Sequence, residues 1–352
     1  MDKYLVLENG NVYKGKAFGH TGDSVGELVF TTAVVGYTET LTDPTYAGEI
    51  VMQTFPEIGN YGVMYEDMES DAITAAGYVV SGYCDKPSNF RTDTDIDSFL
   101  KEHGTPGLYG IDTRAVTAVI RNAGVMNAAI VSDPAGVDFD KLRGYKINCV
   151  AAGTKEEVVY EPEKALFTVV LFDYGVKKSI VANLLKHGCR VIKVPRSTSV
   201  QRVRELSPDG IVLSNGPGNP AEYKKEIKTV SALIGYKPIF GVGLGHQLAA
   251  LATGAKVRKL KYGHRGGNRP VRETATGRTF VVAENHGYTV DINSLKAGVP
   301  SYLDANDGSP EGINYPEAGM MTTAFYPEAV AVPKDMKKPF DEFDKLMKGG
   351  KR

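Results

Sequence analysis

IFGVGLGHQLAA, residues 239–250, decides the fold. A short apolar run passes through a Gly-x-x-x-Gly turn (Gly241 to Gly245) into a helical pattern, which predicts a strand, a sharp elbow and a helix. That geometry lifts a nucleophile above the carboxyl edge of a parallel sheet. A working hydrolase carries Cys or Ser at the elbow, between Val242 and Leu244. This chain carries Gly243, which has no side-chain atom able to attack a carbonyl.

The segments before the elbow agree with it. LFTVVLFDYG (166–175) is a near-continuous apolar run, as expected of a strand covered on both faces. KKSIVANLLKHG (177–188) is an amphipathic helix closed by Gly188, and CRVIKVP (189–195) is the next strand. VQRVRELSPDG, GIVLSNGPGNP, KEIKTVSALIGY and KPIFGVG repeat the alternation up to Gly243. Strands alternating with helices of this length predict right-handed βαβ units in a doubly wound sheet. Ligands in such sheets sit beyond the carboxyl ends of the strands, where LSNGPGNP and GVGLGHQ fall.

The first 150 residues read as β-rich. YLVLENGNVYKGKAF (4–18) places two strands around an Asn-Gly turn. Further strands are expected in GELVF, EIVMQTF and AITAAGYVVSGY, with a loop in the Thr-, Asp- and Pro-rich stretch before Tyr46. Helices are expected near Asp93–Glu102 and Thr113–Asn122, the second with Val116, Val119 and Ile120 on one face. Mixed charge and weak periodicity make 151–166 a linker. The expected organisation is a β-rich α/β domain (1–150), the linker, and a doubly wound α/β domain (167–352).

The chain has 352 residues and a net charge of −1 from 41 basic and 42 acidic residues, so no global field attracts nucleic acid or an anionic membrane. No apolar run reaches the ~18–20 residues of a membrane span. MDKYLVLENG lacks the basic-then-apolar pattern of a signal peptide. The three cysteines, Cys84, Cys149 and Cys189, show no CxxC spacing. They are expected to be small buried hydrophobes in a reducing, cytoplasmic setting, with no metal site.

IVLSNGPGNP, GVGLGHQLAALATGAKV, YGHRGGNRPV and ENHGYTVD resemble the successive signatures of a class I (triad) glutamine amidotransferase. GYTETLTDPTYAGEIV, FPEIGNYG and GLYGIDTRAVTAVIRNAG narrow this to the small subunit of carbamoyl phosphate synthetase. The resemblance runs from about Leu5 to about Phe343. It implies a subunit that hydrolyses glutamine and passes ammonia to a large subunit, which makes carbamoyl phosphate. ATP and Mg would belong to that large subunit, and no cofactor is expected in this chain. The implied glutaminase uses a Cys thiolate, a His that activates it and protonates the departing ammonia, and a Glu that orients the His.

Carried over residue by residue, the nucleophile falls on Gly243, the His on Tyr326 in TTAFYPEAV, and the Glu on Glu328. Tyrosine, with a pKa near ~10, is a poor acceptor of a thiol proton at neutral pH. Three departures lie nearby: Ala324 for a usual Gln, Arg269 for a His, and Glu284 for a Gln. Deliberate editing usually changes one residue, so the paired loss reads as natural drift after the triad was released. The binding frame is better kept. Gly216 and Gly218 allow close backbone approach, and the Gly218 and Leu244 N–H groups match an oxyanion hole. Gln247, Asn285, Gly287 and Tyr288 match positions that hold glutamine, and Thr45 replaces a usual Ser. His246 and His286 sit in matched motifs, but the family uses neither as its base, and a local hydrogen bond is expected to hold His246 at its helix start.

Three readings follow. One is a catalytically silent small subunit supporting an ammonia-using large subunit. Another is a free-standing sensor of glutamine or a related amide. The third keeps an enzyme, with Tyr326 or Thr322 acting in the pocket, although no base is evident beside either hydroxyl.

Overall fold

The computed structural model describes residues 1–148, 152–328 and 338–349. The chain divides into two compact units, the first comprising Met1–Asn148 together with Lys261–Arg265.

In the first unit β1 (Asp2–Leu7) and β2 (Val12–Gly19) form the hairpin expected around Asn9-Gly10, with Gly10 at φ 91. Then come β3 (Ser24–Thr31), α1 (Tyr37–Thr42), β4 (Glu49–Gln53), β5 (Glu57–Ile58), β6 (Gly77–Val79) and β7 (Gly82–Tyr83). The unit continues with α2 (Ile96–Glu102), β8 (Pro106–Tyr109), α3 (Thr113–Ala123), β9 (Met126–Val131) and α4 (Phe139–Arg143). Seven strands close a barrel in the order β1-β2-β8-β6-β4-β3-β9. Strand alternation buries both sides of its wall. Ile50 and Met52 of β4 join a cluster with Leu5, Leu28 and Leu108, while Val51 joins Tyr37, Tyr78 and Phe99. Asp95 caps α2 through the Ser98 amide and Asp112 caps α3 through the Ala115 amide, each at 2.9 Å.

The stretch expected to be a loop before Tyr46 contains α1. Threonine is a weak helix former, but Tyr37, Thr38, Leu41 and Thr42 are buried there, and the Thr42 hydroxyl donates to the Thr38 carbonyl at 2.7 Å. Tertiary burial overrides local preference at this point.

The second unit begins with β10 (Val158–Tyr160), β11 (Phe167–Asp173), α5 (Lys178–Lys186), β12 (Cys189–Pro195) and α6 (Val200–Glu205). It proceeds through β13 (Gly210–Leu213), α7 (Lys224–Leu233), β14 (Ile239–Val242) and α8 (Leu244–Ala252). The remaining elements are β15 (Val257–Glu273), β16 (Thr279–Val290), β17 (Val299–Asp304), β18 (Pro310–Tyr315), β19 (Met320–Thr323) and α9 (Lys338–Gly349).

One ten-stranded sheet runs β10-β12-β11-β13-β14-β19-β18-β17-β15-β16. Its five central strands, β12-β11-β13-β14-β19, are parallel, and the chain reverses direction of travel across the sheet between β11 and β13. Val170 and Phe172 of β11 face α6, α7 and α8 through Val203, Val230 and Leu248. Val169 and Leu171 face α5 and α9 through Ile180, Leu184, Phe340 and Phe343. Helices therefore cover both faces, as the apolar runs predict.

Two expectations are corrected. The 151–166 stretch is not simply a linker, because β10 within it pairs antiparallel with β12 as an edge strand; its exposed Val158 and Val159 carried too little periodicity to reveal this. Cys84 is half-buried rather than buried, its thiol 3.4 Å from the Lys86 carbonyl. Cys189 is buried, and burial pushes its thiol up to about 12, which makes it inert at neutral pH. Cys149 lies outside the described residues. No helix among the described residues is long and apolar enough to cross a membrane.

Candidate functional site

The carboxyl ends of β11, β13 and β14 converge where the sheet order reverses, and each supplies one wall of the site. After β11, the Asp173 carboxylate accepts the Gly175 and Val176 amides at 2.9 and 2.8 Å. This turn delivers Lys177 to the start of α5. After β13, Ser214 and Asn215 are fully buried, and the Asn215 side-chain oxygen accepts the Lys177 amide at 3.3 Å. The Ser214 hydroxyl accepts the Tyr174 amide at 3.0 Å, tying these two loops together.

After β14 stands the elbow. Gly243 has φ 58 and ψ −111, a combination that strains any residue with a Cβ. Its amide donates to the Thr323 carbonyl at 2.8 Å, and its carbonyl accepts from His246 N at 3.1 Å and Gln247 N at 3.3 Å. The predicted strand, elbow and helix are therefore all present. A Cβ built on Gly243 would stand 3.2 Å from the Asn215 Cβ and 3.8 Å from the Tyr326 Cε1. A nucleophile at this position would thus point at the ring of Tyr326.

Tyr326 is buried at 4% exposure, and its amide donates to the Ala283 carbonyl at 2.9 Å. The Lys177 ammonium lies 4.1 Å from its ring centroid and 3.1 Å from the Glu328 carboxylate. Glu328, expected to orient an imidazole, instead pairs with a buried lysine that also packs on the aromatic face. Sequence reading did not single out Lys177; its place directly after the apolar strand and Asx-type turn was the available signal.

The backbone frame accompanies these changes. Gly218 has φ 82, and a Cβ on Gly216 would meet the Tyr174 carbonyl at 2.5 Å, so the Asn-Gly-Pro-Gly turn tolerates no side chain there. Leu244 is the first residue of α8, and an amide in that position has no acceptor within its own helix. Gln247 is buried and donates to the Tyr288 carbonyl at 2.7 Å, which ties α8 to β16. Asn285, Gly287 and Tyr288 follow one another on β16, Asn285 buried and the other two half-buried. Thr45 belongs to the first unit, where its amide donates to the Asp43 carboxylate at 2.9 Å.

His246 corrects the expectation of a local hydrogen bond: its Nδ1 lies 2.8 Å from the Thr322 Oγ1 on β19. The contact also supplies the imidazole beside a hydroxyl that sequence reading did not foresee. It does not make a base. The Thr322 hydroxyl is held at the same time by the Ile313 carbonyl at 3.1 Å. Burial also pushes His246 down to about 4. His286 is occupied as well, its Nδ1 2.9 Å from the Tyr288 carbonyl and its Nε2 3.1 Å from the Glu311 carboxylate.

Two of the departures noted near the triad positions prove to be partners. Arg269 Nε lies 3.3 Å from the Glu284 carboxylate, and another guanidinium nitrogen lies 2.7 Å from that of Asp304. Their separation by 15 positions on two different strands hides this from the sequence. A double-mutant cycle with Arg269→Met and Glu284→Gln, followed by urea unfolding, is expected to give a coupling energy of ~1–3 kcal/mol, as for contacting residues in one network. Additive effects would show that the pair contributes nothing to stability.

With this geometry in hand, the relatives are informative. Residues 5–130 match the family of the carbamoyl-phosphate synthase small chain, CPSase domain, and residues 170–346 match the class-I glutamine amidotransferase family. The chain is 44% identical over 350 residues to a carbamoyl phosphate synthase small chain of Fusobacterium nucleatum, covering 98% of each. It is 42% identical over 363 residues to that of Archaeoglobus fulgidus, covering 99% of each. It is 41% identical over 359 residues to a carbamoyl phosphate synthase pyrimidine-specific small chain of Halalkalibacterium halodurans, covering 100% of this chain and 98% of that one. A seven-stranded barrel unit followed by a doubly wound amidotransferase sheet, matched along its whole length, places this chain in the carbamoyl phosphate synthase small chain family.

Proposed function

We propose that this chain is a small subunit without glutaminase activity of its own, which docks on a large carbamoyl phosphate synthetase subunit and supports synthesis from free ammonia. The observation that carries this reading is the elbow: Gly243 faces the ring of Tyr326, and Glu328 is held by Lys177. Amide hydrolysis needs an activated nucleophile and an acid for the leaving ammonia. Neither Gly243 nor Tyr326 supplies one, and His246 is buried and committed to Thr322. ATP and Mg are assigned to the large subunit, the compartment is taken as cytoplasmic, and the product is assigned to pyrimidine or arginine synthesis.

A second reading draws on the kept turn at Gly216 and Gly218 and on the α8–β16 tie through Gln247. Under it the chain is a free-standing sensor that binds glutamine or a related amide without cleaving it.

The deciding experiment measures glutamate release from glutamine by the purified chain, then carbamoyl phosphate formation with a large subunit supplied with either glutamine or ammonia. Synthesis from ammonia alone, raised by adding this chain, is the expected result. Glutamate release by the unaltered chain would overturn the proposal. Failure to associate with any large subunit, joined with thermal stabilisation by glutamine, would favour the sensor.

A further inference from the structure

At the opposite, amino ends of the parallel strands, α5 and α9 bring one imidazole and two carboxylates together. We propose that His187, Asp341 and Asp344 form a binding site for a divalent cation of the zinc type.

His187 follows the last turn of α5, where its amide donates to the Asn183 and Leu184 carbonyls at 3.1 and 3.2 Å. Its ring stacks on Phe340, with centroids 5.6 Å apart and planes inclined by 30°. Phe340 is itself buried in the core cluster that seats α9 on the sheet, so the orientation of the imidazole is set by core packing. The Nδ1 faces the Asp344 carboxylate at 2.7 Å. Asp341 lies three residues earlier on α9, which puts it on the same helical face. One ligand atom from each of the three side chains lies within 4.8 Å of the others.

A zinc-type ion takes nitrogen and carboxylate oxygen at ~2.0–2.2 Å, so its ligand atoms stand ~3–4 Å from one another. Closing that difference requires side-chain rotation on α9. A hydrogen-bonded ion pair joins His187 to Asp344, while Asp341 adds a second carboxylate charge beside the imidazole and makes no ion pair of its own among the described residues. The mixed nitrogen and oxygen donor set favours zinc, cobalt or nickel over magnesium or calcium, which take oxygen ligands.

Access is open. His187 and Asp344 line a cleft of about 790 Å³ whose other charged residues are Glu161, Glu163, Lys164 and Lys186, so water can complete the coordination shell. A bound ion would clip the end of α5 to the start of α9. It would act there independently of the elbow, because the helix preceding β12 ends at the amino edge of the sheet and the elbow stands at the carboxyl edge.

The test uses the full chain stripped with a chelator and titrated with Co²⁺ and Zn²⁺, read by calorimetry, by cobalt absorption and by thermal unfolding. One ion per chain and a raised Tm are expected. His187→Gln should abolish saturable binding, and Asp341→Asn, at an exposed position, should weaken it by ~10–100-fold while leaving the metal-free circular dichroism spectrum unchanged. Absence of saturable binding to the unaltered chain overturns the proposal. So does unchanged affinity in Asp341→Asn, a result that stands even if His187→Gln fails to fold.

Discussion

Gly243→Cys combined with Tyr326→His is expected to produce measurable glutamine hydrolysis, with neither substitution alone doing so. The geometry accommodates both changes. The new Cβ would lie 3.2 Å from the Asn215 Cβ, a contact needing only a small adjustment, and would face the ring position that an imidazole would occupy. Glu328 already stands two residues beyond Tyr326, and the donors expected for an oxyanion, the Gly218 and Leu244 N–H groups, are backbone groups that do not depend on the side chain at 243. A cysteine without a base remains mostly a thiol, and a histidine without a nucleophile has nothing to activate. The double variant is expected to turn over ~10²–10⁴-fold faster than Gly243→Cys, the usual contribution of a positioned base. Cysteine at φ 58 is expected to cost ~1–3 kcal/mol of stability, readable by urea unfolding. A folded double variant with background activity would mean that the residues at 243 and 326 do not by themselves set glutaminase activity, and that the Arg269–Glu284 pairing or the Lys177 hold on Glu328 also shapes the site.

Lys177→Met is expected to destabilise the second unit by ~3–5 kcal/mol, because removing one member of a buried ion pair leaves the other charge without its counterion. The Lys177 and Glu328 side chains are 6% and 0% exposed, and the ammonium also packs on the Tyr326 ring. Glu328→Gln should cost less, since an amide oxygen can still accept from the lysine. The double change Lys177→Met with Glu328→Leu should recover part of the loss, because apolar replacement of a whole buried pair is often close to neutral. Urea midpoints at neutral pH check all three. An unaltered midpoint for Lys177→Met would show that water reaches Glu328 and that the pair does not organise the candidate site.

The sequence by itself determined much of this protein. Unbroken apolar runs announced the parallel strands, because a strand covered on both faces has no polar side to display. The Gly-x-x-x-Gly turn announced the elbow, because a Cβ on Gly241 would meet the Gly245 carbonyl at 2.8 Å and one on Gly245 the Leu213 carbonyl at 2.1 Å. The Asn9-Gly10 pair announced the first hairpin for the same kind of local reason. That Gly243 and Tyr326 stand where the family resemblance expects Cys and His was legible because the sequence states residue type directly.

Tertiary structure alone decided which side chains meet across the candidate site. Arg269 with Glu284, Lys177 with Glu328, and His246 with Thr322 each join residues from different elements, and no local periodicity encodes a side-chain contact across a sheet. The edge strand β10 and the helix α1 were hidden for a related reason. The first is only three residues long with two of them exposed, the second is threonine-rich, and both are held by pairing or burial against segments elsewhere in the chain. An absence can therefore be read from one residue, whereas the charges and rings that fill its place are fixed by long-range packing.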